Sequence, residues 1–247
     1  MSTSTDTTTQ ISPDALLTTD ELRKSFGGID AVDGLDIAVQ AGEIVGLIGP
    51  NGAGKTTTVN LITGFLQPTS GDIVFGDQMI TSDQPHQVSS KGIGRTFQIS
   101  KPFGRLSVFE NMLVPNVPYG RSEQEERAHE LIERLDLAVV KENRADALSG
   151  GQKKLLELAR VLMLEPDLIL LDEPAAGVNP ALMDDIIDHI KEINADGTAI
   201  LVIEHDMSVI NELCERVIVM SAGRKIMTGT FDEIRQDERV RSAYLGK

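Results

Sequence analysis

"GEIVGLIGPNGAGKTTTVNLITGF", Gly42 to Phe65, decides the fold. Ile44 to Ile48 is an apolar run of strand length, and from Thr57 onward Val59, Leu61 and Ile62 recur at helical spacing. Between them lies Gly49-Pro50-Asn51-Gly52-Ala53-Gly54-Lys55-Thr56, which satisfies G-x-x-x-x-G-K-[ST] and runs on into Thr57. Its glycines let the backbone curl around a phosphate chain with the N–H groups turned inward. Lys55 can then reach the β- and γ-phosphates, and the Thr56 hydroxyl can bind Mg2+. Strand, glycine loop and helix in this order predict a nucleoside triphosphate site, not a dinucleotide site.

Two later strands carry acids and a histidine at their C-terminal ends. "PDLILLDEPAAGVNPALMDDIIDHI" has a buried-type run, Leu168 to Leu171, followed by Asp172 and Glu173. An acid at such a strand end holds Mg2+ in phosphoryl-transfer sites, the role expected for Asp172. Side chains alternate along a strand, so Glu173 points elsewhere and is suited to orient or deprotonate an attacking water. Asn179-Pro180 starts a helix with Leu182, Ile186, Ile187, Ile190 and Ile193 facing inward. Asp184, Asp185, Asp188 and His189 are expected on its solvated face. "TAILVIEHDM" gives a third strand, Ala199 to Ile203, and then His205, which could bond the γ-phosphate and position the water with Glu173. His86 and His129 lie in polar segments and read as surface.

"ADALSGGQKKLLELARVLML", Ala145 to Leu164, contains a helix with Leu155, Leu156, Leu158, Ala159 and Leu162 on its apolar face. Ser149 is a suitable N-cap, yet Gly150 and Gly151 in the first turn cost roughly 1 kcal/mol each relative to alanine. Bare N–H groups at a helix start attract an anion, but the phosphate loop already supplies a better anion site. The composition restricts the partners. The 247 residues carry 38 acids against 23 bases, a net charge of −15, which argues against nucleic acid or an anionic lipid surface. The acids are dispersed from Asp6 to Glu238, a pattern that predicts self-repulsion relieved by salt and a salt-loving source. No apolar run approaches the ~20 residues of a membrane span, and the polar start lacks the features of a signal peptide. The expectation is a soluble cytoplasmic chain. The single cysteine, Cys214, cannot form an internal disulfide and is expected in the core.

These motifs in this order resemble the nucleotide-binding subunit of ABC transporters over nearly the whole chain from Thr18. They are the phosphate loop at Gly49–Thr57, Gln98 in "GRTFQ", "LSGGQ" at Leu148–Gln152, "LILLDE" at Leu168–Glu173, and His205. The resemblance implies two subunits facing head to tail, so that Ser149, Gly150, Gly151 and Gln152 of one cover the ATP in the phosphate loop of the other. It implies Thr56, Gln98 and Asp172 around Mg2+, and Phe26 in "RKSFGG" stacked on adenine where many relatives have tyrosine. It also implies transmembrane permease subunits, an extracytoplasmic solute-binding protein that acts indirectly, and a place at the cytoplasmic face of the membrane. Phe103, Leu106, Val108 and Phe109 could line a groove for a permease helix or pack the core of the helical insert.

Within the family, "GIGRTFQ", "RLSVFENMLV", "DEPAAGVNP", "IEHDM" and "DERVRSAYLGK" look like the ATPases of branched-chain amino acid importers, which pair two different ATPase subunits. Asn179 departs from the aspartate common in the wider family, and the subtype shares that departure. Urea or amide importers and lipopolysaccharide-export ATPases share much of the pattern. Soluble ABC ATPases of translation or repair usually carry tandem units or long coiled-coil inserts, which this chain lacks. A phosphate-sensing module without turnover is disfavoured by Glu173 and His205. The expected fold is an α/β P-loop NTPase core with a mainly parallel sheet. A polar tail over residues 1–17 precedes a single domain, 18–247. An antiparallel β section at about 18–45 and 71–75 and a helical insert at about 99–164 complete it, and "TFDEIRQDERVRSAYLG" is expected as one closing helix.

Overall fold

A computed structural model of the chain describes residues 15–97 and 101–245. A first antiparallel section is built from β1 (Ala15–Phe26), β2 (Ile29–Leu35), β3 (Ala38–Gln40), β5 (Ser70–Phe75) and β6 (Gln78–Met79). Its order is β2-β1-β5-β6, with β3 also paired to β1. A second sheet runs β11-β10-β4-β9-β8-β7, from β4 (Ile44–Ile48), β7 (Ile93–Arg95), β8 (Leu168–Asp172), β9 (Ala199–Ile203), β10 (Arg216–Ser221) and β11 (Arg224–Gly229). Only the β10–β11 pair of this sheet is antiparallel. The helices are α1 (Lys55–Ile62), α2 (Pro85–Ser90), α3 (Val108–Met112), α4 (Arg121–Arg134), α5 (Gly150–Leu162), α6 (Pro180–Ala195), α7 (Met207–Leu213), α8 (Phe231–Gln236) and α9 (Glu238–Leu245). This is the mixed α/β architecture of a P-loop NTPase, as the sequence predicts.

Strands β4, β8 and β9 are buried at every residue. Both faces of a parallel sheet are covered, so such strands read as unbroken apolar runs. Their alternating side chains feed two cores. Ile44, Ile48, Ile169 and Leu171 pack with α3 to α6, whereas Val45, Leu47, Leu168 and Leu170 pack with α1 and the antiparallel section. Parallel pairing also aligns the strand ends: Ile44 is opposite Ile200, and Asp172 is opposite Ile203. The loops after β4, β8 and β9 therefore open at one edge, where the candidate ligands gather.

Several expectations need correction. Strand β1 begins at Ala15, so residues 15–17, expected in the polar tail, belong to the sheet, and Leu17 is fully buried. His189 is buried, not solvated, because the turn after α4 covers that face of α6 and brings Asp136 Oδ2 to 3.3 Å from its Nε2. The closing helix is two helices. Asp237 breaks it with an extended backbone and accepts the N–H of Arg239 at 2.8 Å. The apolar set after the phosphate-side loop divides: Val108 is fully buried and Phe109 packs against the same core, whereas Phe103 is exposed. His86 and His129 are exposed, and Cys214 is buried.

Candidate nucleotide site

The phosphate loop joins β4 to α1, and its conformation requires glycine at two tight places. A Cβ on Gly49 would sit 2.2 Å from the carbonyl oxygen of Met220, and one on Gly54, whose φ is 105°, would sit 2.4 Å from that of Ala31. Neither neighbour is a movable side chain, so these positions accept no larger residue. Gly49 and Ala53 are buried, Pro50, Gly54 and Thr57 are partly buried, and Asn51, Gly52 and Thr56 are exposed at the lip. The first turn of α1 has no side-chain cap, which leaves its N–H groups directed to the loop's opening. Lys55 folds across this loop. Its Nζ donates to Gly49 O at 2.7 Å and to Pro50 O at 3.3 Å. Burial lowers its pKa, and the negative charges of Glu173 and Asp172 oppose that shift, so the ammonium already lies in the field of both acids.

At the end of β8, Asp172 is buried and its Oδ2 accepts a bond from Arg95 Nη2 at 3.1 Å. Glu173 has a left-handed backbone, φ 51°, unusual for a residue with a side chain. Two bonds hold it there: its N–H donates to Ile203 O at 2.8 Å, and its carbonyl accepts from Lys154 Nζ at 2.7 Å. Its carboxylate lies near His205, whose Nδ1 is 3.7 Å from Glu173 Oε1. Lys55, Asp172, Glu173 and His205 thus meet at one edge of the sheet. A hydroxyl at Thr56 and a carboxylate at Asp172 are hard oxygen donors of the kind Mg2+ prefers. No group of three or more His, Cys, Asp or Glu side chains able to hold a metal exists among the described residues. A metal here would complete its shell with phosphate oxygens and water, as Mg2+ does.

Other expected residues stand apart from this cluster. Phe26 ends β1 half exposed, with Lys24 Nζ over its ring 5.2 Å from the centre. Gln98 lies outside the described residues. Ser149 and Gln152 form a reciprocal capping box, with Ser149 N donating to Gln152 Oε1 at 3.0 Å and Gln152 N to Ser149 Oγ at 3.3 Å. Ser149 and Gly150 are exposed, whereas Gly151 is buried, where a Cβ would meet Leu182 Cδ2 at 2.0 Å. Close packing of α5 on α6 therefore accounts for Gly151 within one chain. The exposed Ser149-Gly150 step is left pointing outward.

Three positions that brace the candidate cluster escaped the sequence reading. Glu204 is fully buried, and its carboxylate accepts N–H bonds from Ala175 at 2.7 Å, His205 at 2.9 Å and Asp206 at 3.3 Å. It ties the loop after Glu173 to the turn carrying His205. A lone acid directly after five apolar strand residues was the available signal. Lys154 and Arg95 are the others, each reaching from a neighbouring element to a strand-end acid. No sequence spacing reveals such contacts.

Together, the doubly wound fold and the phosphate-loop cluster define a P-loop nucleoside triphosphatase. The family described as ABC transporter matches residues 32–176, and one described as branched-chain amino acid ATP-binding cassette transporter matches residues 224–247. A probable branched-chain amino acid transport ATP-binding protein LivG of Methanocaldococcus jannaschii is 36% identical, with 94% of this chain and 98% of the relative covered. The lipopolysaccharide export system ATP-binding protein LptB of Haemophilus influenzae is 37% identical over 94% of this chain and 98% of its own. A solved ATP-binding cassette of an ABC transporter in its ADP conformation superposes with a TM-score of 0.87 at 35% identity, covering 94% of this chain and 99% of that one. Solved cassettes also include dimers, one of them bound to ADP and Pi. The chain belongs to the ATP-binding cassettes of ABC transporters, and it is an ATPase subunit of such a transporter. No helix among the described residues is long and apolar enough to cross a membrane.

Proposed function

We propose that this subunit energises import of branched-chain amino acids, closing on ATP as a head-to-tail dimer and reopening on hydrolysis. The observation that carries the substrate class is the match of residues 224–247 to the branched-chain cassette family, a segment outside the shared ATPase motifs. The 37% identical lipopolysaccharide export relative supports a second reading, lipid export.

In the proposed cycle Phe26 stacks on adenine, residues 49–57 wrap the phosphates, and Lys55 leaves its carbonyl partners for the β- and γ-oxygens. Bound Mg2+, held by Thr56, Gln98 and Asp172, supplies charge neutralisation at the transferring phosphoryl group. Glu173 orients and deprotonates the attacking water, and His205 holds the γ-phosphate side of that water. Ser149, Gly150, Gly151 and Gln152 act on the nucleotide of the opposing subunit. That trans role is supported by the outward-facing Ser149-Gly150 step. The opposing subunit is a paralogue or a second copy, and each contacts permease subunits at the cytoplasmic face of the membrane. A groove of about 1320 Å³ lined by Phe65, Phe97, Pro115 and Val117, with Arg160 and Glu165 among its charges, offers a partly apolar seat of mixed charge for a permease helix.

Tagged Glu173→Gln protein, purified with MgATP from gently solubilised membranes of its source, tests the proposal. Recovery of polytopic permeases with a second cassette, and loss of leucine uptake on deletion, are expected. A permease of lipid export in their place would move the assignment to the second reading, and a monomer at saturating MgATP would contradict the shared site.

A further inference from the structure

We propose that Arg95 is a positioning residue that fixes Asp172 for the metal and links that carboxylate to the floor of the permease-side groove. The proposal rests on Asp172 as the metal-side carboxylate, the role proposed above. Arg95 ends β7, paired with Leu170 of β8, so it lies beside the strand face that carries Asp172 two residues later. Both terminal nitrogens of its guanidinium are held. Nη1 donates to Asn60 Oδ1 at 2.6 Å and to Thr63 Oγ1 at 3.2 Å, both on or just after α1, and Nη2 donates to Asp172 Oδ2 at 3.1 Å. Both side chains of the ion pair are 8% exposed.

Two aromatic rings also lie against the guanidinium, on one side. The guanidinium carbon lies 4.8 Å from the ring centre of Phe97 and 5.6 Å from that of Phe65, and the two rings meet edge to face at 5.8 Å. Both phenylalanines are about half exposed in the groove, and Glu157 of α5 pins the Phe97 backbone by accepting its N–H at 2.8 Å. Meanwhile Arg95 Nε is buried with no hydrogen-bond partner among the described residues. Burying a cation with one nitrogen unpaired costs stability that a smaller apolar residue would not. What the arrangement gains is an anchored cation that holds Oδ2 of Asp172 in place and leaves the other oxygen for the metal shell. Partners that orient a metal-ligating carboxylate typically change metal affinity by 10–100-fold when removed.

The test reads metal binding, not turnover. Mn2+ would be titrated by electron paramagnetic resonance into purified protein saturated with a non-hydrolysable ATP analogue, with Asp172→Asn as the reference. Arg95→Met is expected to weaken Mn2+ binding by about tenfold or more, while analogue affinity in EDTA stays within about twofold of the parent. Phe97→Ala leaves every metal-site group in place and is expected to weaken Mn2+ binding roughly two- to fivefold, the worth of a partly exposed cation–π contact. Unchanged Mn2+ binding in Arg95→Met beside a loss in Asp172→Asn overturns the role of Arg95 and leaves that of Asp172 standing. Unchanged binding in Asp172→Asn removes both, and an unchanged Phe97→Ala removes the link to the groove. Should Arg95→Met fail to fold, Arg95→Lys decides. One ammonium cannot hold Asn60, Thr63 and Asp172 together, so parental Mn2+ affinity in that variant also overturns the proposal.

Discussion

Glu204 and His205 are adjacent in sequence and opposite in what they support. Glu204 is fully buried and accepts three backbone N–H bonds, so removing its carboxylate leaves buried donors unpaired. Glu204→Ala should therefore cost about 1–3 kcal/mol of stability, seen as a fall in Tm of several degrees. His205 is 65% exposed at its side chain. His205→Ala should leave stability within about 0.5 kcal/mol and lower ATP turnover roughly 100-fold or more. A large Tm loss in His205→Ala would assign it a structural role. Cys214 makes a separate prediction. Burial pushes its thiol up to about 12, above the ordinary 9.0. A group raised in the folded state contributes stability below its unfolded pKa that is lost as pH rises toward the folded one. Dithionitrobenzoate at pH 8 should thus label Cys214 only after denaturation, and stability should begin to fall above about pH 9.

At the scale of elements, α5 joins the exposed Ser149-Gly150 step to the turn that carries Glu173. Its Ser149–Gln152 capping box closes one end, and Lys154 grips the Glu173 carbonyl one turn later. Ser149→Ala should cost about 1 kcal/mol in chemical denaturation of the free subunit, as for any lost cap. If Ser149 also works in trans, the Glu173→Gln background will lose its ATP-dependent dimer by far more than that. Lys154→Met should keep the helix but release Glu173, lowering turnover while far-ultraviolet circular dichroism is unchanged. The legibility of elements followed their burial. Strands β4, β8 and β9 stood out because both faces are covered, so every residue but Asp172 at the end of β8 is apolar. Strand β7 has three residues and exists by pairing with β8, and β11 is a half-exposed edge, so neither has a pattern of its own. His189 was misplaced because helical periodicity marks the core face of α6 but not a second cover supplied by the turn at Asp136.

For the whole molecule, the net charge of −15 governs solution behaviour. Repulsion among dispersed acids reaches across the surface at low ionic strength and is cut off within about 3 Å in molar salt. Thermal unfolding should shift upward by several degrees between dilute buffer and molar KCl, and equal midpoints would remove the case for a salt-loving source. The site was legible wherever one motif supplies its own scaffold, as in the phosphate loop. It was opaque where separate elements meet, as Arg95 with Asp172, Lys154 with Glu173 and Glu204 with Ala175, because those contacts exist only after folding.

The left-handed backbone of Glu173 has an evolutionary consequence. A side chain in that conformation costs roughly 1 kcal/mol that glycine would not incur. Glu173→Gly should therefore unfold at a temperature no lower than the parent while hydrolysing no ATP, as a paired melting and turnover assay would show. Selection for durability alone would drift toward the inert form, and only demand for work keeps the acid in place.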